Sequence, residues 1–227
     1  MKIIVTGALG HIGSSLIRYL PEAFPEAHIV LIDSLITQRF SSLFNLPSNG
    51  KFSFYQEDVR EFDFSKIVNQ GDVIINLSAI TDAAGSFNNA ELLEKNNYNC
   101  TETIANACIK SNAKLITISS TSVYGSTKNI VDESSTGDDL NPQSPYATTK
   151  LMEEDLVRKL SLEKDLQAVI LRFGTIYGYS PGMRFHTAVN KFCWQSVLDK
   201  PLTIWETAYE QKRPYLDYLG GNAECRK

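Results

Sequence analysis

Short, uninterrupted apolar runs alternate along this chain with longer stretches in which apolar residues return every three or four positions. The runs lie near residues 2–6, 28–32, 52–56, 72–77, 114–119 and 167–172, each bounded by turn-forming residues. Runs this short and this apolar are the mark of strands buried on both faces. Between them, helical periodicity covers residues 11–20, 62–69, 89–111 and 145–164. Ile12, Leu16, Ile17 and Leu20 give the first helix one apolar face. Ser144-Pro145 gives the fourth a capping hydroxyl followed by proline at the first helical position. Strand and helix in alternation predict an α/β fold, a doubly wound parallel sheet with helices on both sides.

After Arg172 the pattern changes. Residues 173–184 are rich in Gly, Pro and Tyr, and then come a helix near 186–199 and a short strand from Leu202 to Trp205. The chain therefore divides into a sheet domain, residues 1–172, and a small second lobe, residues 173–227. Gln211 to Asp217 still reads as ordered structure, whereas residues 218–227 carry no periodic pattern. One helix and one or two strands are too little to enclose a ligand, so the second lobe is expected to be incomplete.

Composition narrows the classes. With 227 residues, 43% of them hydrophobic, the chain can bury one sizeable core. A net charge of −4, a pI near 5.5 and the lack of a basic cluster interleaved with aromatics argue against nucleic-acid and membrane-surface partners. No run reaches membrane-span length. Cys100, Cys108, Cys193 and Cys225 have neither metal-ligand spacing nor a disulfide framework, so they read as reduced thiols of a cytoplasmic protein. His11, His28 and His186 show no ligand spacing either, and no metal is expected.

Two motifs carry chemistry. Thr6-Gly7-Ala8-Leu9-Gly10-His11-Ile12-Gly13 follows the first strand and opens the first helix. Glycines in that turn let the backbone approach a pyrophosphate, and the N–H groups of the helix start, at His11, Ile12 and Gly13, point at the anion. Asp33 ends the second strand, where a carboxylate can accept from both ribose hydroxyls and repel a 2′-phosphate. Gly7, Gly10, Gly13 and Asp33 thus predict a dinucleotide site that takes NAD in preference to NADP.

The second motif is Tyr146-Ala147-Thr148-Thr149-Lys150. Oxidising an alcohol needs a base for the hydroxyl proton, and a free tyrosine, with a pKa near ~10, is a poor one. Lowering that pKa by ~3 units takes roughly 4 kcal/mol, which an ammonium in a water-poor site can supply. Tyr146 and Lys150, four apart on a helix, share one face. Tyr124 and Lys128 have the same spacing, but Gly125-Ser126-Thr127 between them is turn chemistry, so that pair is not expected on one helix face. Ser119-Ser120-Thr121-Ser122 lies just past the fifth strand, at the end of the sheet where ligands gather.

These features, with Asp58-Val59, Asn76-Leu77-Ser78-Ala79, Asn97, and Leu171-Arg172 running into Ile176-Tyr177-Gly178, span nearly the whole chain in one order. In them the chain resembles the extended short-chain dehydrogenase/reductase family, in its NAD-dependent nucleotide-sugar epimerase/dehydratase branch. The resemblance implies a Rossmann sheet and a catalytic set of Ser120, Tyr146 and Lys150. It also implies a cofactor lining in which Asp58 and Val59 flank the adenine, Leu77, Ser78, Ala79 and Asn97 line the cleft, and Tyr146 and Lys150 reach the nicotinamide end. On the substrate side it points to Thr81, Thr121, Thr175, Arg184, Asn190 and Arg213, the arginines suiting a diphosphate. Apart from the resemblance, apolar surface left uncovered by an incomplete second lobe would drive association, so a homodimer is expected.

Departures from the family pattern sharpen the reading. Sugar dehydratases of this family carry Asp-Glu directly after the catalytic hydroxyl, and here Thr121-Ser122 stand there. The proton donor for elimination is missing, which favours an epimerase of a nucleotide-activated sugar that oxidises the sugar transiently and returns the hydride. Asn76 stands where histidine is common in the family, and Thr175 where several members have asparagine. The same catalytic set also serves a dehydratase or a simple reductase or dehydrogenase. Because family members normally continue further, a catalytically impaired NAD-binding protein is the alternative of another class.

Overall fold

A computed structural model describes residues 1–81, 90–125, 131–135 and 137–202. Six parallel strands form one sheet: β1 (Lys2–Thr6), β2 (His28–Ile32), β3 (Lys51–Tyr55), β4 (Val73–Asn76), β5 (Lys114–Ser120) and β6 (Ala168–Phe173). Their order is β3-β2-β1-β4-β5-β6. The order reverses between β1 and β4, and their register pairs Thr6 with Asn76, so both strands end level at the switch point. A crevice opens there by topology alone, because the connections leave β1 and β4 in opposite directions. This is the doubly wound Rossmann arrangement that the alternating pattern predicts.

Alternation along the strands builds two cores. Ile3 and Val5 of β1, with Ile29 and Leu31 of β2, pack against Ile17 and Leu20 of α1 (His11–Ala23). Ile4, Val30 and Ile32 point the other way, towards Ile104 of α2 (Ala90–Ser111) and Val157 and Leu160 of α3 (Pro145–Lys164). Fully burying side chains of this size is worth about 1.5–3 kcal/mol each. The outer strand is less well covered. Ala168 and Ile170 of β6 join the second core, while Val169 is 53% exposed.

Two expected elements differ. α1 does not stop before Pro21 but runs through it to Ala23. Proline there forfeits one hydrogen bond near the end of the helix, and the Phe24 N–H still closes the last turn on the Leu20 carbonyl at 2.8 Å. The helix expected over 62–69 is only a 3₁₀ turn, Phe64–Lys66. Asp63 is the reason: its carboxylate accepts from the Ser65 N–H and hydroxyl, at 3.2 and 2.6 Å, and offers the backbone a local alternative to helix.

The chain divides into two compact units, the first Met1–Met183 and the second beginning at Arg184. The described part of the second contains α4 (Ala188–Val197), with the Trp194 indole N–H donating to the Phe185 carbonyl at 2.9 Å. Leu202 is in neither helix nor strand, and the rest of the strand expected at 202–205 lies outside the described residues. Among the described residues no helix is long and apolar enough to cross a membrane.

Candidate active site

The turn after β1 is built by close approach. Gly7 has φ +62°, and a Cβ there would lie 2.6 Å from the Leu77 carbonyl oxygen. At Gly13 a Cβ would stand 2.5 Å from the Gly7 carbonyl oxygen. The loop is therefore pressed between the end of β4 and the first turn of α1, and neither position tolerates a side chain. Gly10, the residue before α1, brings no capping side chain, so the first-turn N–H groups of His11, Ile12 and Gly13 face the mouth of the loop with the positive end of the helix. Asp33 sits beside it: Oδ2 accepts from the Leu9 N–H at 3.0 Å and Oδ1 from the Leu35 N–H at 2.9 Å. From the far end of the first unit, the Gly182 N–H donates to Ser14 Oγ at 2.9 Å and brings that segment onto α1.

The opposite wall of the crevice follows β4. Asn76 Oδ1 accepts from Thr6 Oγ1 at 3.0 Å and from the Ser78 N–H at 3.1 Å. Asn97, fully buried on α2, accepts from the Ile80 N–H at 2.8 Å and donates to the Ile80 carbonyl at 2.9 Å. Together they fix Leu77, Ser78, Ala79 and Thr81 in one course, and Asn97 acts on the cleft through that loop. Arg60 grips the Asp58 carboxylate, and its hydrogen bonds hold that carboxyl below the usual range against the effect of partial burial. Val59 beside it is buried.

Tyr146 and Lys150 lie one turn apart on α3, which packs on β5 and on the 3₁₀ turn Thr121–Tyr124. The helix starts where Ser144 Oγ accepts from the Ala147 N–H at 3.1 Å, with Pro145 at its first position. Tyr146 is partly buried; Lys150 is buried, and its Nζ donates to Glu153 Oε2 at 3.1 Å. Burial works against the Lys150 ammonium, but the Glu153 carboxylate, Tyr146 and Cys100 together outweigh it and hold the lysine pKa above its ordinary value. Cys100 stays a thiol, pushed up to about 12 by burial and by Asp58.

Ser120 ends β5 and caps the 3₁₀ turn, its Oγ accepting from the Ser122 N–H at 3.2 Å and from Ser122 Oγ at 2.8 Å. Both contacts use its lone pairs, so its own hydrogen is left to donate. Tyr124, in the competing spacing, is placed otherwise. Its hydroxyl donates to the Asp132 carbonyl at 3.0 Å, and its ring lies under the Arg172 guanidinium at 4.8 Å. The turn ends at Gly125, φ +65°, so no helix carries Tyr124 onward, and Lys128 lies outside the described residues.

The remaining candidates are scattered by comparison. Thr81 closes the described part of the β4 wall, Thr121 is exposed at the start of the 3₁₀ turn, and Thr175 is exposed beyond β6. Arg184 and Asn190 belong to the second unit, where Asn190 Nδ2 donates to the Arg184 carbonyl at 2.8 Å. Arg213, Trp205 and Cys225 lie outside the described residues. Among those described, no group of three His, Cys, Asp or Glu could hold a metal ion. Sequence reasoning missed Thr101, Glu153 and the Arg172–Glu154 pair. Glu153 had a signal in its i+3 spacing from Lys150; Thr101, on another helix, had none.

The fold has counterparts among known proteins. A Bacillus subtilis (strain 168) protein described as an uncharacterized UDP-glucose epimerase, YtcB, is 33% identical over 214 residues, covering 90% of this chain and 65% of its own length. UDP-glucuronic acid 4-epimerase from Bacillus cereus, solved with UDP-glucuronic acid and NAD, superposes with a TM-score of 0.79 at 34% identity, over 90% of this chain and 66% of that one. UDP-N-acetylglucosamine 4-epimerase from Methanobrevibacter ruminantium M1, solved with UDP-N-acetylmuramic acid, gives 0.78 at 26% identity, over 90% and 65%. The chain thus spans just under two-thirds of the length of these relatives. The sequence model of the NAD dependent epimerase/dehydratase family matches residues 3–218. The chain belongs to that family.

Proposed function

We propose that this chain binds NAD and serves an epimerase of a nucleotide-activated sugar, working through a transient keto-sugar. The residues present fit the cofactor. Gly7 and Gly13 pack the loop against the end of β4 and the first turn of α1. A Cβ at Gly10 would meet only the Gly7 carbonyl oxygen, at 3.3 Å, so the backbone there can be approached by a pyrophosphate, and Asp33 is already held at the edge of that loop, where a ribose would meet it. Asp58 and Val59 serve the adenine end, and Leu77, Ser78 and Ala79 the wall. When bound, NAD supplies the acceptor and donor of hydride.

The chain's own residues move the proton and hold the oxygen. Tyr146 takes the sugar hydroxyl proton, with the Lys150 ammonium one turn away on the same helix face. Ser120 donates its hydroxyl hydrogen to the reacting oxygen. Thr81, Thr121, Thr175, Arg184, Asn190 and Arg213 are our candidates for holding the sugar nucleotide, and residues 173–227 for the lobe that carries it, with residues 1–172 as the NAD domain.

The observation that carries epimerisation over elimination is the turn after Ser120. Thr121 and Ser122 offer hydroxyls and no carboxylate, so nothing there protonates a departing water. Relatives include a dTDP-D-glucose 4,6-dehydratase of Dictyostelium discoideum, 29% identical, which keeps dehydration as the second reading. Cys100, Cys108 and Cys193 are free thiols, the state a cytoplasmic compartment maintains, and we place the protein there. The assembly we propose is a homodimer, which light scattering can test. The deciding experiment incubates the protein with UDP-glucuronic acid, UDP-glucose, UDP-N-acetylglucosamine and dTDP-glucose, with and without NAD. An epimer without net reduced cofactor supports the proposal; a dehydrated sugar overturns it in favour of the second reading.

A further inference from the structure

A buried hydrogen-bond chain runs under the crevice and ends on Lys150. Thr6 Oγ1 donates to Asn76 Oδ1 at 3.0 Å, Asn76 Nδ2 donates to Thr101 Oγ1 at 3.2 Å, and Thr101 Oγ1 donates to Glu153 Oε2 at 2.7 Å. The same oxygen accepts from Lys150 Nζ at 3.1 Å. Every member is buried, with the Lys150 and Glu153 side chains only 6% and 4% exposed. The chain thus begins at the strand end that opens the glycine turn, passes the residue that orients the Ser78 N–H, crosses α2 and arrives at the lysine of α3. The Glu153 carboxylate is costly to bury, and its second oxygen, Oε1, makes no hydrogen bond among the described residues. Packing alone does not call for a carboxylate here; an apolar side chain of that length would fill the space.

We infer that Glu153 is the positioning residue of the catalytic lysine: through one oxygen it fixes the Lys150 ammonium on the face it shares with Tyr146, and through Thr101 and Asn76 it ties that ammonium to the cofactor-cleft wall. The inference rests on the proposed reading of Lys150 as the partner of the Tyr146 base. Its neighbour Glu154 does not share this role, being held by Arg172 at 2.7 Å and by Arg158 at 2.7 Å. The groups that face the pair are Tyr146 on its own helix and Cys100 on α2, with Asp58 and Arg60 beyond the thiol. Of these only Glu153 carries a formal negative charge in contact with the ammonium. Removing it leaves burial to act on Lys150 with little opposition, and the lysine then gives up its proton at lower pH.

The test reads Lys150 itself. Carbon-13-labelled lysine in the full chain is titrated by NMR, the Lys150 signal being assigned by its loss in Lys150→Met. In the unsubstituted protein Lys150 titrates no lower than the surface lysines in the same spectra. In Glu153→Gln it titrates at least about one pH unit below them, the size expected for loss of one charge at contact distance in a partly screened interior. Glu153→Asp, which keeps the charge, returns the titration to within about 0.3 unit, and the alkaline limb of turnover follows the same order. Lys150 titrating below the surface lysines in the unsubstituted protein, or unchanged in a folded Glu153→Gln, overturns the inference. Glu153→Met, also neutral and of similar length, gives the same reading should the glutamine variant not fold. Failure of the reading of Tyr146 as the base looks different, because Tyr146→Phe would then retain turnover while the lysine titration moved as stated.

Discussion

Tyr124 and Tyr146 each precede a lysine by four residues, and the two regions around them are built to opposite ends. The Tyr124 ring is 7% exposed and stacked under Arg172, with its hydroxyl spent on the Asp132 carbonyl. Around it Arg172 makes two hydrogen bonds to Glu154, at 2.9 and 2.7 Å, and a third to the Ser135 carbonyl at 3.3 Å. That region is a closed polar clamp joining β6, α3 and the turn after β5. Tyr146 is partly exposed, makes no hydrogen bond to another described residue, and has a buried ammonium one turn on. Spacing nominates both tyrosines; the fate of the hydroxyl and the burial of the cation separate a structural phenol from one left available to react.

The largest effect is expected from removing the Tyr146 hydroxyl. Tyr146→Phe should lower kcat at least about 10³-fold, within the range of general-base contributions, with NAD affinity by calorimetry changed little. Glu154→Gln attacks the other region. Taking one partner from a clamp whose glutamate side chain is 1% exposed should cost about 3 kcal/mol of stability in denaturant unfolding. Its pH dependence has a definite sign. Burial pushes the Glu154 carboxyl up, but the Arg172 hydrogen bonds and charge, with a smaller part from Arg158, outweigh it and hold the carboxyl below its ordinary value, so the clamp's stability is present above the unfolded carboxylate value, about 4.3, and is lost as pH falls through the lower folded value. The glutamine variant should lack that acid-side loss.

Asp33→Gly sharpens the cofactor side. It removes a charged acceptor held against the glycine loop, and at ~1.5–3 kcal/mol for such a hydrogen bond NAD should bind tens-fold more weakly, with the margin over NADP reduced. A titration in which NADP binds the unsubstituted protein better than NAD would contradict the role given to this carboxylate. The smallest effect belongs to Tyr124→Phe. It loses one neutral hydrogen bond, about 1 kcal/mol of stability, and should leave kcat within a few-fold. Equal inactivation by the two tyrosine substitutions would erase the distinction between the regions.

Much of this was legible in the order of residues. Strand ends, the glycine turn, Asp33 and the start of α3 at Ser144-Pro145 are local signals, set by periodicity, cap chemistry and φ restrictions, and such signals survive folding. The helix read over 62–69 failed because Asp63 competes for the backbone, a contest that apolar spacing does not register. Glu153 stood in plain view at i+3 from Lys150, yet adjacent Glu153 and Glu154 look alike in a sequence. Only the packing of α3 turns one towards Lys150 and Thr101 and the other towards Arg172. Thr101 and Asn76 lie 25 residues apart, and Thr101 and Glu153 lie 52 apart, so their chain exists only once β4, α2 and α3 are assembled.

On the proposed function, Tyr146 serves a reversible oxidation in which the sugar recovers its own hydride. This is measured most directly by turnover of UDP- and dTDP-sugars deuterated at every ring carbon, with NAD present in an amount equal to protein and products read by mass spectrometry and NMR. The expected product is an epimer that keeps its deuterium at the oxidised carbon, with no net accumulation of reduced cofactor and no product from Tyr146→Phe. Hydrogen in place of deuterium at the oxidised carbon, reduced cofactor accumulating in step with product, or the same epimer formed by Tyr146→Phe would overturn it.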